Sequence, residues 1–249
     1  MFIKQYGEGK HTVVGLHGWG GDHRTFEPLE LWRPNFIRMI SIDLPGYGAS
    51  PAPLEWSLDQ IAEEIRIVLE KERIEKFTLL GNCSGAVAGL YLTQLIPNNI
   101  QRFILLDPFA YVPWYFKIFL FKGFGRKAYD ATFATPIGRA ITNGALRHRR
   151  TDDSNLTASF ENTNHDSVYK YLEMMDRVGD IRRFSEFKMP ITLVYGEKTF
   201  AAVKKSIEQW KLVWPHADAV QLTGAGHLPI EEAPRQLASI VFALNGENR

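Results

Sequence analysis

Cysteine is almost absent from this chain of 249 residues, and its scarcity excludes two kinds of site. Cys83 is the only cysteine, so neither an internal disulfide nor a zinc site built from several cysteines can form. A single thiol is compatible with a reducing compartment. The N-terminal sequence MFIKQYGEGKH contains no apolar signal core. We therefore predict a cytoplasmic protein.

Long apolar runs and an excess of one charge are also missing. The chain has no stretch of about 18 consecutive apolar residues, so we predict no membrane span. Its 29 basic and 28 acidic side chains give a net charge of +1, which does not favour a nucleic-acid partner. With 45% hydrophobic residues, the chain can build one sizeable core with room for an inserted subdomain.

Short apolar runs alternate with helical patterns along most of the chain. The runs predict strands at residues 12–17, 36–43, 77–82, 103–107, 191–196 and 219–224. The helical patterns cover residues 58–70, 86–96, 202–213 and 234–244, and Ser57 stands in the N-cap position of the first. This alternation predicts an α/β fold with a mainly parallel sheet and helices on both faces. In such folds ligands bind at the C-terminal ends of the strands.

Residues 109–187 interrupt this alternation, because no buried strand is predicted there. The segment opens with FAYVPWYFKIFLFKGFG, which is dense in aromatic residues. We interpret it as a helical cap inserted into a core formed by residues 1–108 and 188–249. The aromatic stretch resembles a membrane-surface helix, but we favour aromatic side chains that line the cap and its pocket. The basic sequence RHRR at 147–150 could hold the phosphate of a carrier or of coenzyme A, but we favour a solvated cap surface.

Cys83 stands at the centre of a G-x-C-x-G spacing between a predicted strand and a predicted helix. Gly81 and Gly85 flank it, and small residues there let the helix pack closely against the strand while the central side chain points outward. Ser84 has the wrong spacing to both glycines for a nucleophile, but its backbone N–H lies where an oxyanion donor is needed. A lone cysteine is more often a buried hydrophobe, but this position favours a nucleophile over an inactive substitute.

Two further strand ends carry residues suited to the same chemistry. The sequence LHGWGG follows the first predicted strand, and its geometry would direct the N–H of Trp19 toward the same place as the N–H of Ser84. Two such donors stabilise an oxyanion by several kcal/mol, roughly 3 to 4 for one donor. The sequence GAGHLP follows the last predicted strand, so His227 can reach back over the sheet. Asp43, in IDLPGYGAS, lies in a turn rich in glycine and proline, and we interpret it as structural.

These motifs resemble the α/β-hydrolase superfamily in order and spacing. They are LHGWGG, IDLPGYGAS, GNCSGA, LVYGEKT and GAGHLPIEEAP, and together they span nearly the whole chain. The opening YGEGKHTVVGLHGWGG is most similar to small capped carboxylesterases of the pimeloyl methyl ester esterase type. The resemblance implies a nucleophile, an acid and a histidine in that chain order. It assigns the nucleophile to Cys83, the base to His227, and the oxyanion donors to the amides of Trp19 and Ser84.

The acid departs from the pattern of the superfamily. Its usual aspartate follows the strand that ends in LVYG, and this sequence has Thr199 there. Some members carry the acid one strand earlier, which makes Asp107 the candidate and Glu197 a weaker one. Two alternatives stay open: Asp107 only caps the turn before Pro108, or the thiol and His227 work without an acid.

The sequence thus predicts a hydrolase or acyltransferase for an ester, thioester or lactone with an apolar acyl group. Attack by Cys83 would form an acyl-thioester enzyme, and His227 would activate water or a second acceptor. We expect no metal or organic cofactor; the partner would be a small-molecule substrate, which an acyl carrier could present. The alternative is a non-catalytic protein of this fold that binds a small hydrophobic ligand or a protein partner. The oxyanion loop and His227 favour the enzyme, because a binding protein needs neither.

Overall fold

One sheet organises the computed structural model, which describes residues 1–243. The strands are β1 (Ile3–Tyr6), β2 (His11–Leu16), β3 (Ile37–Ile42), β4 (Phe77–Asn82), β5 (Ile100–Leu106), β6 (Ile191–Gly196) and β7 (Asp218–Leu222). Their order in the sheet is β1-β3-β2-β4-β5-β6-β7. All neighbours pair in parallel except β1, which runs antiparallel to β3. The predicted α/β class and mainly parallel sheet are confirmed.

The predicted strands are all present within a few residues, and β1 is additional. Strand β1 has the sequence IKQY, in which only the first and last residues are half-buried. Four residues at a sheet edge leave too short a hydrophobic pattern to be recognised. Strand β5 begins at Ile100, three residues before the predicted strand, and Asp107 lies just beyond its end.

The predicted core helices also form. They are α1 (Leu58–Lys71), α2 (Ser84–Leu95), α7 (Ala201–Val213) and α9 (Pro234–Val241). Ser57 caps α1 as predicted, because its Oγ accepts a hydrogen bond from Gln60 N at 3.2 Å. The last helix was predicted to reach residue 244, which lies outside the described residues.

Consecutive strand residues face opposite layers of the core. In β4, Leu79 belongs to the cluster that packs on α1, α2 and α7, whereas Leu80 packs with α9 and the 3₁₀ helix His23–Trp32. Both leucine side chains are fully buried, which is the pattern of a sheet covered on both faces. Truncating either to alanine should cost roughly 2–5 kcal/mol of unfolding free energy.

Helices fill the whole segment between β5 and β6. They include α3 (Trp114–Lys117), α4 (Gly125–Tyr129), α5 (Pro136–Ala145) and α6 (His165–Asp176), joined by short 3₁₀ turns and one π-helical turn. The indole of Trp19 joins this segment to the core: its Nε1 donates to Val168 O at 2.8 Å. Its ring also packs edge-on against Phe116, Phe133 and Phe160. The division into a core (1–108 and 188–249) and a cap (109–187) stays a prediction, and "cap" is used for the latter below.

None of the helices within residues 1–243 combines the length and the apolarity that crossing a bilayer requires.

Candidate active site

Cys83 occupies a strained turn where β4 ends and α2 begins. Its backbone has φ 50° and ψ −110°, a region that non-glycine residues rarely adopt because of steric cost. The turn is held by Cys83 N, which donates to Leu106 O at 2.9 Å. A Cβ added at Gly85 would lie 2.2 Å from Leu16 O, and one at Gly81 would lie 2.5 Å from Ala86 Cα. The glycines are therefore required by the close approach of α2 to the strands.

His227 lies in the loop between β7 and α8 (Pro229–Glu232) and contacts the predicted acid. Its Nδ1 is 2.6 Å from Asp107 Oδ2. Thr199 Oγ1 donates to the same carboxylate oxygen at 2.5 Å and lies 3.2 Å from His227 Nδ1. Gly196 N donates to Asp107 Oδ1 at 3.1 Å. The fully buried Asp107 carboxylate is therefore surrounded by donors, as a buried charge requires.

The pKa of His227 reflects these contacts. Burial disfavours the imidazolium, but hydrogen bonds with Asp107 and with the Cys83 side chain outweigh it and raise the pKa of His227 to about 10. Because Asp107 holds Nδ1, Nε2 is the ring nitrogen left to face Cys83. The rings of Phe109 and Phe200 pack edge-on against His227, with centroids 5.8 and 4.8 Å away.

The other acidic candidates are elsewhere. Glu197 is exposed, and its Oε2 accepts from Gly224 N at 2.7 Å. Asp43 is fully buried and accepts bonds from the backbone and ring of His23 and from Ala49 N, which agrees with its interpretation as a structural turn residue. The structure thus brings Asp107, and neither Glu197 nor Asp43, to the histidine.

The loop after β2 lies against the turn that carries Cys83. A Cβ at Gly18 would lie 3.4 Å from Cys83 Cβ, and Gly18, Trp19 and Cys83 line the same cavity. Ser84 is the first residue of α2, where a backbone N–H has no partner within the helix. Trp19 and Ser84 therefore both lie near Cys83, and the role of their amides as oxyanion donors stays a prediction.

His17 fixes the loop that carries Trp19, and the sequence patterns did not reveal this role. Its Nδ1 donates to Gly18 O at 2.9 Å, and its Nε2 accepts from Leu44 N at 3.0 Å. The side chain is fully buried, and burial lowers the pKa of His17, so the neutral ring can accept and donate at once. Only the position of His17 between a buried strand and two glycines could have signalled it.

A mainly apolar cavity of about 350 Å³ extends from Cys83 and His227 beneath the cap. Aromatic side chains form much of its wall, including Phe109, Phe116, Phe133, Phe160 and Trp210. Within residues 1–243 the one group of side chains with metal-ligand spacing is Asp22, His23 and Asp43. It does not line the cavity, and Asp43 already accepts bonds from His23 and Ala49.

The cap contacts the loop that carries His227 (the histidine loop) through the basic sequence RHRR at 147–150. His227 N donates to Arg149 O at 2.9 Å, and Arg149 Nη1 donates to Thr199 O at 3.2 Å. A Cβ at Gly226 would lie 2.1 Å from Arg149 O, so only glycine permits this contact. Arg147 is exposed as expected for a solvated surface, but Arg149 is half-buried and supports the site.

Comparisons with known proteins identify the family and the fold of this chain. A sequence profile described as alpha/beta hydrolase fold matches residues 11–234. The chain is 25% identical over 257 residues to the Pimeloyl-[acyl-carrier protein] methyl ester esterase of Serratia marcescens, with 98% of this chain and 97% of that protein covered. It is 31% identical over 105 residues to a Serine hydrolase-like protein of Danio rerio, which is 41% of this chain and only 32% of that protein's length. The crystal structure of the enol-lactonase from Burkholderia xenovorans LB400 superposes on this chain with a TM-score of 0.78 at 18% identity. The superposition covers 96% of this chain and 94% of the enol-lactonase, so the two proteins share the fold.

Proposed function

The chain belongs to the alpha/beta hydrolase family, and from that premise we propose that it hydrolyses an ester, thioester or lactone, or transfers its acyl group, with Cys83 as nucleophile. An esterase-like hydrolase is supported at the level of the family and of the relatives. The cysteine nucleophile and the apolar acyl group are our proposal.

One observation carries this proposal. Among residues 1–243, three non-glycine residues have positive φ: Arg73, Cys83 and Asp107. Two of the three meet at His227. Backbone strain of this kind costs on the order of 1–3 kcal/mol per residue and persists where function requires it. A protein that only binds a ligand would gain stability by relaxing both positions.

In the proposed acylation step, the Cys83 thiolate attacks the carbonyl carbon and the C=O electron pair moves to the oxygen. The amides of Trp19 and Ser84 donate to this oxyanion. When the tetrahedral intermediate collapses, the bond to the leaving alcohol or thiol breaks, and His227 Nε2 gives that group its proton. The products are an acyl-thioester on Cys83 and a neutral His227.

In the second step, neutral His227 removes a proton from water or from another acceptor. The resulting nucleophile attacks the thioester carbonyl, and collapse of the second tetrahedral intermediate expels the Cys83 thiolate. Asp107 accepts the Nδ1 hydrogen bond throughout, which keeps Nε2 directed at the reacting atoms and stabilises the imidazolium.

The cavity favours the proposal of an apolar acyl group, because little of its lining is polar and phenylalanine side chains form much of its wall. The Serratia marcescens relative is named for a methyl ester carried on acyl-carrier protein. We therefore include esters and thioesters whose acyl group is presented by a carrier among the substrates to test.

The test is a screen of aryl esters and acyl-thioesters of increasing chain length, followed by mass spectrometry after a substrate pulse. We expect an acyl adduct on the peptide that contains Cys83. The Cys83→Ala variant should show neither adduct nor turnover, whereas Ser84→Ala, which keeps the backbone N–H, should retain both. Turnover that survives Cys83→Ala would disprove the proposal. Tight ligand binding without turnover of any substrate would instead favour the non-catalytic alternative.

A further inference from the structure

The charge of this nearly neutral chain is unevenly distributed. Residues 109–150 contain eight lysines and arginines and a single acidic residue, Asp130. This part of the cap, called the basic cap segment below, therefore carries a formal charge of +7. Since the whole chain carries +1, the remaining residues together carry −6.

The same segment exposes an unusual share of large apolar side chains. Residues 1–243 contain 14 such exposed side chains, and six of them belong to the basic cap segment. These six are Tyr111, Trp114, Phe121, Phe124, Ile137 and Ile141. Trp114 and Ile137 are each 74% exposed. Scattered exposed apolar residues need no explanation, but a concentration of them indicates an interaction surface.

The clearest part of this surface is the cap tip, residues 121–127. The rings of Phe121 and Phe124 stack with centroids 6.0 Å apart and an interplanar angle of 14°. Between them Gly123 adopts φ +92°, and a Cβ added there would meet nothing within 4 Å. The tip therefore projects two aromatic side chains into solvent, with the exposed Lys122 between them in the sequence.

Some cations of the segment are neutralised within the protein, and others are not. Lys117 pairs with Asp176, and Arg126 pairs with Asp130 and Asp166. Lys122 and Lys127 are exposed and form no ion pair with any carboxylate among residues 1–243. The tip thus combines exposed apolar rings with two lysines that no carboxylate of residues 1–243 neutralises.

We propose that the basic cap segment docks on the surface of an anionic phospholipid bilayer, with Phe121 and Phe124 entering the interface and Lys122 and Lys127 facing the headgroups. Aromatic side chains insert at the boundary between headgroups and acyl chains, while basic side chains are attracted by anionic lipid. An acidic protein would satisfy the lysines but would leave the protruding rings in water unless it offered matching pockets. A bilayer accepts both kinds of side chain.

Docking here would bring the bilayer close to the cavity. Tyr111, Phe116 and Lys117 of the same segment line that cavity. An apolar ester dissolved in the bilayer would then have a short path to Cys83. This consequence rests on the proposed function, but docking itself does not, so it is measured as binding rather than as turnover.

The test is co-sedimentation of the full chain with vesicles of phosphatidylcholine alone and of phosphatidylcholine with about one third phosphatidylserine. We expect binding to the anionic vesicles only, weakened by raising the salt concentration. Phe121→Ser/Phe124→Ser should lower the partition coefficient at least tenfold. Lys122→Gln/Lys127→Gln should lower it roughly fivefold for each lysine. The matched control is Leu31→Ser/Leu212→Ser, which removes two leucines that are 84% and 83% exposed outside the cap, and it should bind as the wild type does.

Circular dichroism would confirm that each variant is folded before its binding is compared. Absence of binding to anionic vesicles, or equal binding by the tip variants and the control, would overturn the proposal. A tip variant that changes the oligomeric state in sedimentation velocity, without vesicle binding by the wild type, would identify the surface as an interface between proteins instead. Vesicle binding that depends on the cap tip, together with no activity in any esterase assay, would support docking. That result would contradict only the proposed function.

Discussion

Thr199 Oγ1 donates a hydrogen bond of 2.5 Å to Asp107 Oδ2, the same oxygen that lies 2.6 Å from His227 Nδ1. Thr199 occupies the place where the superfamily pattern has its usual aspartate. Position 199 therefore keeps a polar side chain, and the negative charge comes from Asp107 at the end of the neighbouring strand β5. Among the described residues, the other donors to this buried carboxylate are Gly196 N and the histidine, so the threonine supplies a third.

The first prediction concerns this hydroxyl. Thr199→Val keeps the shape of the side chain but removes a donor to a buried charge, which costs on the order of 1.5–3 kcal/mol. We expect the free energy of unfolding from urea denaturation to fall by that amount. Thr199→Ser, which keeps the hydroxyl, should lose less. A valine variant as stable as the wild type would show that the hydrogen bond contributes nothing.

The second prediction concerns moving the carboxylate that contacts His227 from position 107 to position 199. Asp107→Asn should lower kcat, but by less than the roughly 10⁴-fold seen in a serine triad, because a thiolate already stabilises the imidazolium. Since Thr199 Oγ1 is 3.2 Å from His227 Nδ1, a carboxylate at 199 can reach the same ring nitrogen. Asp107→Asn/Thr199→Asp should therefore recover part of the lost activity.

Two controls accompany this experiment. Thr199→Asp alone places two carboxylates side by side, so we expect it to be less stable than the wild type. Glu197→Gln should keep its activity, because Glu197 contacts Gly224 and not the histidine. If Glu197→Gln is inactive and Asp107→Asn is not, the acid has been assigned to the wrong residue.

The sequence predicted the places where chemistry occurs better than the contacts between them. Cys83 and His227 follow strands whose apolar runs are easy to recognise, and parallel strands bring their C-terminal ends to one edge. The choice of Asp107 over Glu197 rested on the resemblance to the superfamily, whereas the contacts of Asp107 and its φ of 44° were not predicted. No periodicity encodes that angle. Asp107 lies beside β6, where its N donates to Val194 O at 2.8 Å, and this contact joins residues far apart in the chain.

The contact between the cap and the histidine loop was equally invisible in the sequence. Arg149 and His227 are far apart along the chain, and the bond between them joins two backbone groups, so side-chain chemistry gives no signal. The basic character of RHRR even favoured a solvated surface. The one sequence feature related to the contact between Arg149 and His227 is Gly226, because a larger residue there would collide with Arg149 O.

The third prediction is a pH dependence of stability. The pKa of His227 is raised to about 10, above the value of about 6.5 for an unfolded chain. The stabilisation that this shift provides is complete below about pH 6.5 and is lost as pH rises toward 10. The difference in unfolding free energy between wild type and His227→Gln should therefore shrink over this interval. A difference that is constant with pH would contradict a charged His227 in the folded state.

The last prediction is that Cys83→Ser is a poor enzyme, although serine is the usual nucleophile at the turn between strand and helix in this superfamily. Serine has to lose its proton to His227 during attack, so it needs a neutral imidazole. Because the pKa of His227 is raised to about 10, the histidine is mainly protonated at neutral pH. The Cys83 side chain contributes to that raised pKa, so the serine variant should regain some neutral histidine. We expect a loss in kcat/KM of about 10²- to 10⁴-fold, the usual range for a missing general base. We further expect the activity of the serine variant to rise with pH until His227 is deprotonated, whereas Cys83→Ala should be inactive at every pH. Serine and cysteine enzymes with equal activity and the same pH profile would mean that no thiolate–imidazolium pair operates at this site.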